Sequence, residues 1–229
     1  MTYLQAEVDL PRSGTYNMRL DRTDFEEIEK SSCPAYAKVR FYSWQNPAVS
    51  FGYSQKIEKL VDVAKAKKLG IELVRRITGG GMVFHQPGEL TYCLAAANDL
   101  FSPRPLENYK HIACILKKSF KEIGIKAVVA GRTGIARFNE NICFSKPTRH
   151  ELLVGGKKIA GSAQKKGRRA LLQHGAIQMN KRLPVFNELL DLSELDRTQI
   201  SVQEAGCNVD YRCLAEIIKN ILLKDLKII

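Results

Sequence analysis

Nowhere in the 229-residue chain do about 18 uncharged apolar residues run together, and the opening segment MTYLQAEVDLPRSG carries acids early without an apolar core. Neither a membrane span nor an export signal is therefore expected, and the reading is a soluble cytoplasmic protein. The six cysteines, Cys33, Cys93, Cys114, Cys143, Cys207 and Cys213, show no CxxC spacing. That argues against a structural zinc, and a chain this long in a reducing compartment needs no disulfide staples, so each is read first as a small buried hydrophobe. There is no internal repeat, no low-complexity stretch and no linker. A single domain over 1–229 is expected, with the helices from about residue 184 as a small extension.

What is present is an apolar fraction of 45% and a formal net charge of +12, from 36 Lys and Arg against 24 Asp and Glu. The first suffices for one sizeable core. The second favours an acidic partner: nucleic acid, an anionic membrane or acidic proteins. A nucleic-acid module has only the bulk charge in its favour, since no helix-turn-helix, RRM or zinc pattern appears and aromatics do not interleave with the basic runs. The densest basic cluster, KKGRR at 165–169, lies between apolar runs and reads as a charged hairpin tip.

The pattern along the chain alternates helices and strands. NMRLDRTDFEEIEK from Asn17 reads as a capped helix, followed by the β-rich KVRFYSW; VDVAKAKKLG reads as a short helix stopped by Gly70 before the strand IELVRR. The strongest helix spans 105–123, with Tyr109, Ile112, Leu116, Phe120 and Ile123 on one face and Gly124 as its stop. ELLVGG, KKIAGSAQ and ALLQHGAIQM read as strands joined by hairpins. A last helix starts at Asp210, with Tyr211, Leu214, Ile218 and Ile221 inward. Short connections between strands imply an α/β fold with a mixed, largely antiparallel sheet and helices on its faces.

RRITGGGMVFH, residues 75–85, carries the chemistry. It supplies neither GxxxxGK with Ser or Thr nor GxGxxG opening a helix, because Met82, Val83 and Phe84 favour a strand. It is a glycine-rich turn entering a strand, and the use of such a turn is close backbone approach and amides free to line a narrow slot.

These residues resemble the superfamily of lipoate-protein ligases, octanoyltransferases and biotin ligases. RRITGGGMVFH is similar to its RRxTGG loop and following histidine, GGKKIAGSAQ at 155–164 to its lysine motif, and LQHG at 172–175 to the partner strand. NMRLD at 17–21 and FYSWQNPAVSFGYSQ at 41–55 resemble the upstream blocks. The resemblance implies the catalytic domain shared by biotin ligases and class II aminoacyl-tRNA synthetases. It also implies that the loop covers a slender octanoyl or lipoyl chain, with Ile77 and Val83 in the apolar wall and Arg76 and the loop amides near the head group.

Two chemistries use this scaffold: an ATP-dependent ligase that makes an acyl-adenylate with Mg, and an octanoyltransferase that takes octanoyl from acyl carrier protein and needs no cofactor. ENICFSKPTRHELLVGGKKIAG resembles the block that in LipM-type octanoyltransferases places a nucleophilic cysteine shortly before the motif lysine. The resemblance thus assigns Cys143 as nucleophile and Lys158 as its partner, with Arg76, Thr78, Gly79, Gly80, Gly81, His85, Gly161 and Ser162 binding substrate and no metal. A nearby ammonium favours the thiolate. Either Lys158 or His85 could take the proton from the acceptor lysine. His174 and Cys93 are read as structural. TGGG is the ligase-like form of the loop, PGELTY the transferase-like continuation, and only about 50 residues follow the last matched block, less than a ligase's accessory domain. Implied partners are acyl carrier protein and a lipoyl-domain protein, either glycine cleavage H protein or a 2-oxoacid dehydrogenase E2; both kinds are acidic, which accounts for the charge without nucleic acid or membrane. The ligase is the first alternative, an octanoyl or lipoyl amidotransferase the second.

Overall fold

The computed structural model describes residues 3–131 and 150–225. Seven strands form the main sheet: β1 (Tyr3–Val8), β2 (Tyr36–Tyr42), β6 (Leu90–Ala97), β10 (Ala170–Ile177), β9 (Lys157–Lys166), β8 (Leu152–Val154) and β7 (Val128–Val129), side by side in that order. β1 runs parallel to β2 and every other neighbour is antiparallel. A separate three-stranded sheet sets β3 (Ala48–Phe51) between β4 (Glu72–Arg75), parallel to it, and β5 (Val83–His85), antiparallel.

The central strands β6 and β10 are buried along their whole length, which requires cover on both faces. On one face lies α1 (Gly14–Lys30), opened by Ser13, whose hydroxyl accepts from the Tyr16 amide. It buries Met18, Phe25 and Ile28 against Cys93, Ala95, Ala97 and Leu172, the small side chains letting the helix approach closely. The other face carries α3 (Pro105–Glu122) and α6 (Tyr211–Asp225), which pack on each other and bury Ile112, Leu116, Phe120, Leu214 and Ile218 over Val39, Phe41 and Leu94. Pro at the start of α3 and Gly124 at φ +78° after it fix the ends that periodicity predicts.

The small sheet has its own apolar cluster. α2 (Val63–Lys68), capped by Asp62, and the short helices α4 (Val185–Leu189) and α5 (Ser193–Thr198) cover it, with Phe186 fully buried and edge-on to Phe84 at 5.3 Å. Burial of one such ring is worth about 2 kcal/mol or more. The residues beyond 184 thus contribute to both cores, α4 and α5 to that of the small sheet and α6 to that of the main one. β1 and the division into two sheets are further features that the sequence pattern does not reveal.

The 165–169 turn is a hairpin tip: β9 ends at Lys166 and Gly167 N donates to Ala170 O at 2.7 Å. The Glu29 carboxylate accepts from the amides of Arg168, Arg169 and Ala170 at 2.8 to 3.0 Å. The basic tip is thereby tied to the end of α1. No described helix is long and apolar enough to cross a membrane.

Candidate active site

Where α1, the small sheet and the β9–β10 hairpin meet, they enclose a cleft of about 380 Å³ including its open mouth. Met18, Trp44, Val83 and Ala176 give it an apolar lining, and Ser50, Arg76, His85 and His174 bring polar groups to it. A narrow, mostly apolar slot with a few fixed polar groups is the form of a small-ligand site. Its floor depends on Gly175, where a Cβ would lie 2.6 Å from the Tyr92 ring and 2.8 Å from Gly161 O.

Arg76 organises the glycine loop. Its side chain is buried; Nε donates to Thr78 Oγ1 at 3.1 Å, Nη1 to Ser50 O at 2.9 Å and Ser50 Oγ at 3.3 Å, and Nη2 to Gly79 O at 2.8 Å and Gly81 O at 2.6 Å. The guanidinium therefore clasps the loop carbonyls as well as lining the slot. Gly80 has φ +93°, a conformation that disfavours any other residue, and a Cβ there would sit 3.1 Å from Arg76 Nη2. The close approach that the three glycines imply is made to Gly52, where a Cβ would stand 2.0 Å from Gly80 O. Arg75 reinforces this from outside by donating to the carbonyls of Gly52, Tyr53 and Gln55.

Two histidines flank Arg76 in matching arrangements. His85 Nε2 is 2.8 Å from Ser50 Oγ and its Nδ1 is 2.7 Å from Glu89 Oε1. His174 Nε2 is 2.7 Å from Thr78 Oγ1 and its Nδ1 is 2.9 Å from Asp21 Oδ2. Donor-only groups at the ends fix the direction of each relay. The Trp44 indole donates to Thr91 Oγ1 at 2.9 Å, so the Thr91 hydrogen goes to Glu89 Oε1; that oxygen accepts, and His85 Nδ1–H donates to it. At the other end Arg76 donates to Ser50 Oγ, whose hydrogen goes to His85 Nε2. Trp44 also stacks on the His85 ring at 3.9 Å, holding it in this orientation.

The relays differ in charge. Asp21 accepts from Arg40 at 2.7 Å and Tyr42 OH at 3.0 Å. Burial pushes its carboxyl up, but the His174 hydrogen bond and the Arg40 and His174 charges outweigh this and leave it below its ordinary value. Among the described residues Glu89 has no such cation beside it, and its Oε2 is buried with no hydrogen-bond partner.

Of the residues assigned from sequence, Arg76, His85, Gly161 and Ser162 line the cleft. Thr78 stands behind it on His174. Gly79, Gly80 and Gly81 shape the loop that Arg76 clasps. Lys158 lies on β9 fully buried, with Nζ 2.5 Å from Glu151 Oε1. Cys143 lies outside the described residues. Cys93 is buried and burial pushes its thiol well up, which suits a core residue and not a nucleophile. Ser162 Oγ meets Tyr92 OH at 2.7 Å; burial pushes that phenol up to about 12. Val83 lines the cleft as expected of an apolar wall, whereas Ile77 packs in the α1 cluster. Sequence reasoning missed Met18, Trp44, Ser50 and Glu89. Ser50 and Glu89 sit inside quoted motifs but show their role only once the strands bring them to His85.

An α/β domain with a mostly apolar cleft where its two sheets meet is the setting of a small-ligand site. The chain belongs to the lipoyl protein ligase A/B catalytic domain family, which it matches over residues 13–223. It is 36% identical over 190 residues to an octanoyltransferase LipM of Carboxydothermus hydrogenoformans, covering 82% of this chain and 69% of that one. The LipM of Staphylococcus aureus is 32% identical over 200 residues, covering 83% and 70%, and that of Moorella thermoacetica is 35% identical over 167 residues, covering 70% and 59%. The chain thus spans 59 to 70% of the length of these relatives. Among solved structures, a lipoate-protein ligase A bound with ATP superimposes with TM-score 0.77 at 23% identity, covering 99% of this chain and 85% of that one. A biotin protein ligase from Aquifex aeolicus does so at TM-score 0.52 and 11% identity, covering 99% and 71%. These likenesses show the ligase-type fold.

Proposed function

We propose that the protein is an octanoyltransferase that moves octanoyl from acyl carrier protein to a lysine of a lipoyl domain, in glycine cleavage H protein or a 2-oxoacid dehydrogenase E2, through a thioester on Cys143. The observation that carries this reading is the 32 to 36% identity with octanoyltransferases named LipM over most of the chain, together with a slot suited to a slender apolar chain.

In this reaction the Cys143 thiolate attacks the donor thioester, the C–S bond to the carrier breaks, the carrier leaves as its thiolate, and the octanoyl group rests on the Cys143 sulfur. The acceptor lysine, deprotonated from an unperturbed pKa of about 10.4, then attacks the acyl carbon, and the amide forms as Cys143 is released. The first exchange is nearly thermoneutral and the amide makes the sum downhill, so no nucleotide and no metal are needed. On this reading Lys158, which Glu151 holds on β9, is the cation that favours the Cys143 thiolate. We place the reaction in the cytoplasm, where a reducing environment keeps Cys143 a free thiol.

The test is transfer in the absence of nucleotide. Octanoyl acyl carrier protein, a lipoyl domain and the enzyme, with no ATP, should yield an octanoyl amide on the domain's lysine by mass spectrometry. Strict dependence on ATP with an acyl-AMP intermediate would identify a ligase instead, the alternative that the TGGG form of the loop favours.

A further inference from the structure

A second groove, away from the slot, lies where α3 ends and the chain turns through Gly124 toward β7. It encloses about 1070 Å³ including its open side. Cys114, Ile125 and Ala127 give it an apolar floor, and Val128, next along the chain, is 53% exposed. Four lysines rim it: Lys117, Lys118 and Lys121 on α3, and Lys126 beyond Gly124. Among the described residues no carboxylate lines the groove, and of these lysines only Lys118 has one in ion-pair range, Asp225 of α6 at 2.9 Å. Lysines three and four apart on a helix repel one another, so α3 gains nothing from this cluster on its own. Anionic groups brought from outside would relieve the repulsion.

The position of the groove ties it to the reaction. Val128 on β7 is in register with Leu153 on β8, and Leu153 with Lys158 on β9. Neighbouring strands lie about 4.8 Å apart, which puts the backbone of Lys158 only about 10 Å from that of Val128. β7 closes this side of the main sheet, so a partner seated on the groove stands at the edge nearer to Lys158. We propose that the groove is the docking surface for the acyl carrier protein: an acidic, amphipathic helix of the carrier lays its apolar side on Cys114, Ile125 and Ala127 while its carboxylates meet the lysines. A groove along a helix seats another helix, and of the two acidic protein substrates in the proposed reaction the carrier is the helical one. The proposal rests on the reading that an acyl carrier is the donor.

The experiment measures binding and turnover separately, in the full chain. Lys117→Glu combined with Lys121→Glu, and Lys126→Glu alone, change exposed side chains and should leave the circular dichroism and Tm unchanged. By fluorescence anisotropy the double variant should bind labelled octanoyl acyl carrier protein at least about tenfold more weakly, and Lys126→Glu should also weaken it. Its kcat/KM for that substrate should fall through KM, while kcat/KM for octanoyl-pantetheine and KM for the lipoyl domain stay as in the wild type. A photo-crosslinking residue in place of Val128 should capture the carrier. Wild-type carrier affinity in both folded variants, or no capture from position 128, would overturn the proposal. So would lysines that govern binding to phosphatidylglycerol vesicles and not to the carrier. Carrier binding that depends on these lysines in an enzyme that transfers nothing without nucleotide would uphold the docking surface and count only against the transferase reading.

Discussion

Arg76 shows how one side chain can hold a site together. Its planar fork reaches two loop carbonyls, a strand carbonyl and two hydroxyls at once, and a lysine cannot reproduce that fork. Arg76→Lys should leave several buried acceptors without donors, lowering stability by about 2 to 4 kcal/mol in urea unfolding and octanoate affinity by at least about tenfold in calorimetry. Asp21 acts at the same scale on the far side of the slot. Its folded carboxyl lies below the ordinary 3.8, so its contribution is complete above that value and is lost as the pH falls through the folded one. Asp21→Asn removes the nearer of the two carboxylates paired with buried Arg40 and should cost about 3 kcal/mol at pH 7. The gap between wild type and variant should narrow below about pH 4; a gap independent of pH would show that the Asp21 charge contributes nothing.

The glycine loop and the strands it joins belong to the scale of elements. Gly80→Val places a β-branched residue at φ +93° against Arg76. The variant should still fold, as judged by circular dichroism, yet lose acyl binding; wild-type activity would reduce the glycines to a turn. This loop was legible in the sequence because glycine has few reasons to occur three times running before a strand. The helices α1, α3 and α6 were legible too, since periodicity, a cap or a stop marks each of them. α4 and α5 were not, because a helix of one turn and a half completes too little of a period to show, and neither is followed by a glycine stop such as the Gly70 that marks the equally short α2. The Glu89 relay escaped for a different reason: Ser50 and Thr91 come from separate strands and Trp44 from the segment after β2, and only their packing brings their hydrogen-bonding groups to His85 and Glu89. Lys158 was found through its motif, but its pairing with Glu151 depends on how β8 and β9 are set.

For the molecule as a whole, the +12 charge should act on encounter with acidic protein substrates. kcat/KM with octanoyl acyl carrier protein should fall steeply with added salt, because the Debye length is only about 8 Å at 0.15 M, while that with a small octanoyl thioester should change little. Equal salt sensitivity for both would remove steering from the account. The central claim is the covalent route. Incubated with octanoyl acyl carrier protein and no nucleotide, the enzyme should gain the mass of one octanoyl group, labile to hydroxylamine and mapped to Cys143, and should pass it to a lipoyl domain added afterwards. Lys158→Ala should slow its formation and move the pH–rate profile upward. A Cys143→Ser variant that still transfers octanoyl at the wild-type rate, or an enzyme acylated only when ATP is supplied, would contradict it.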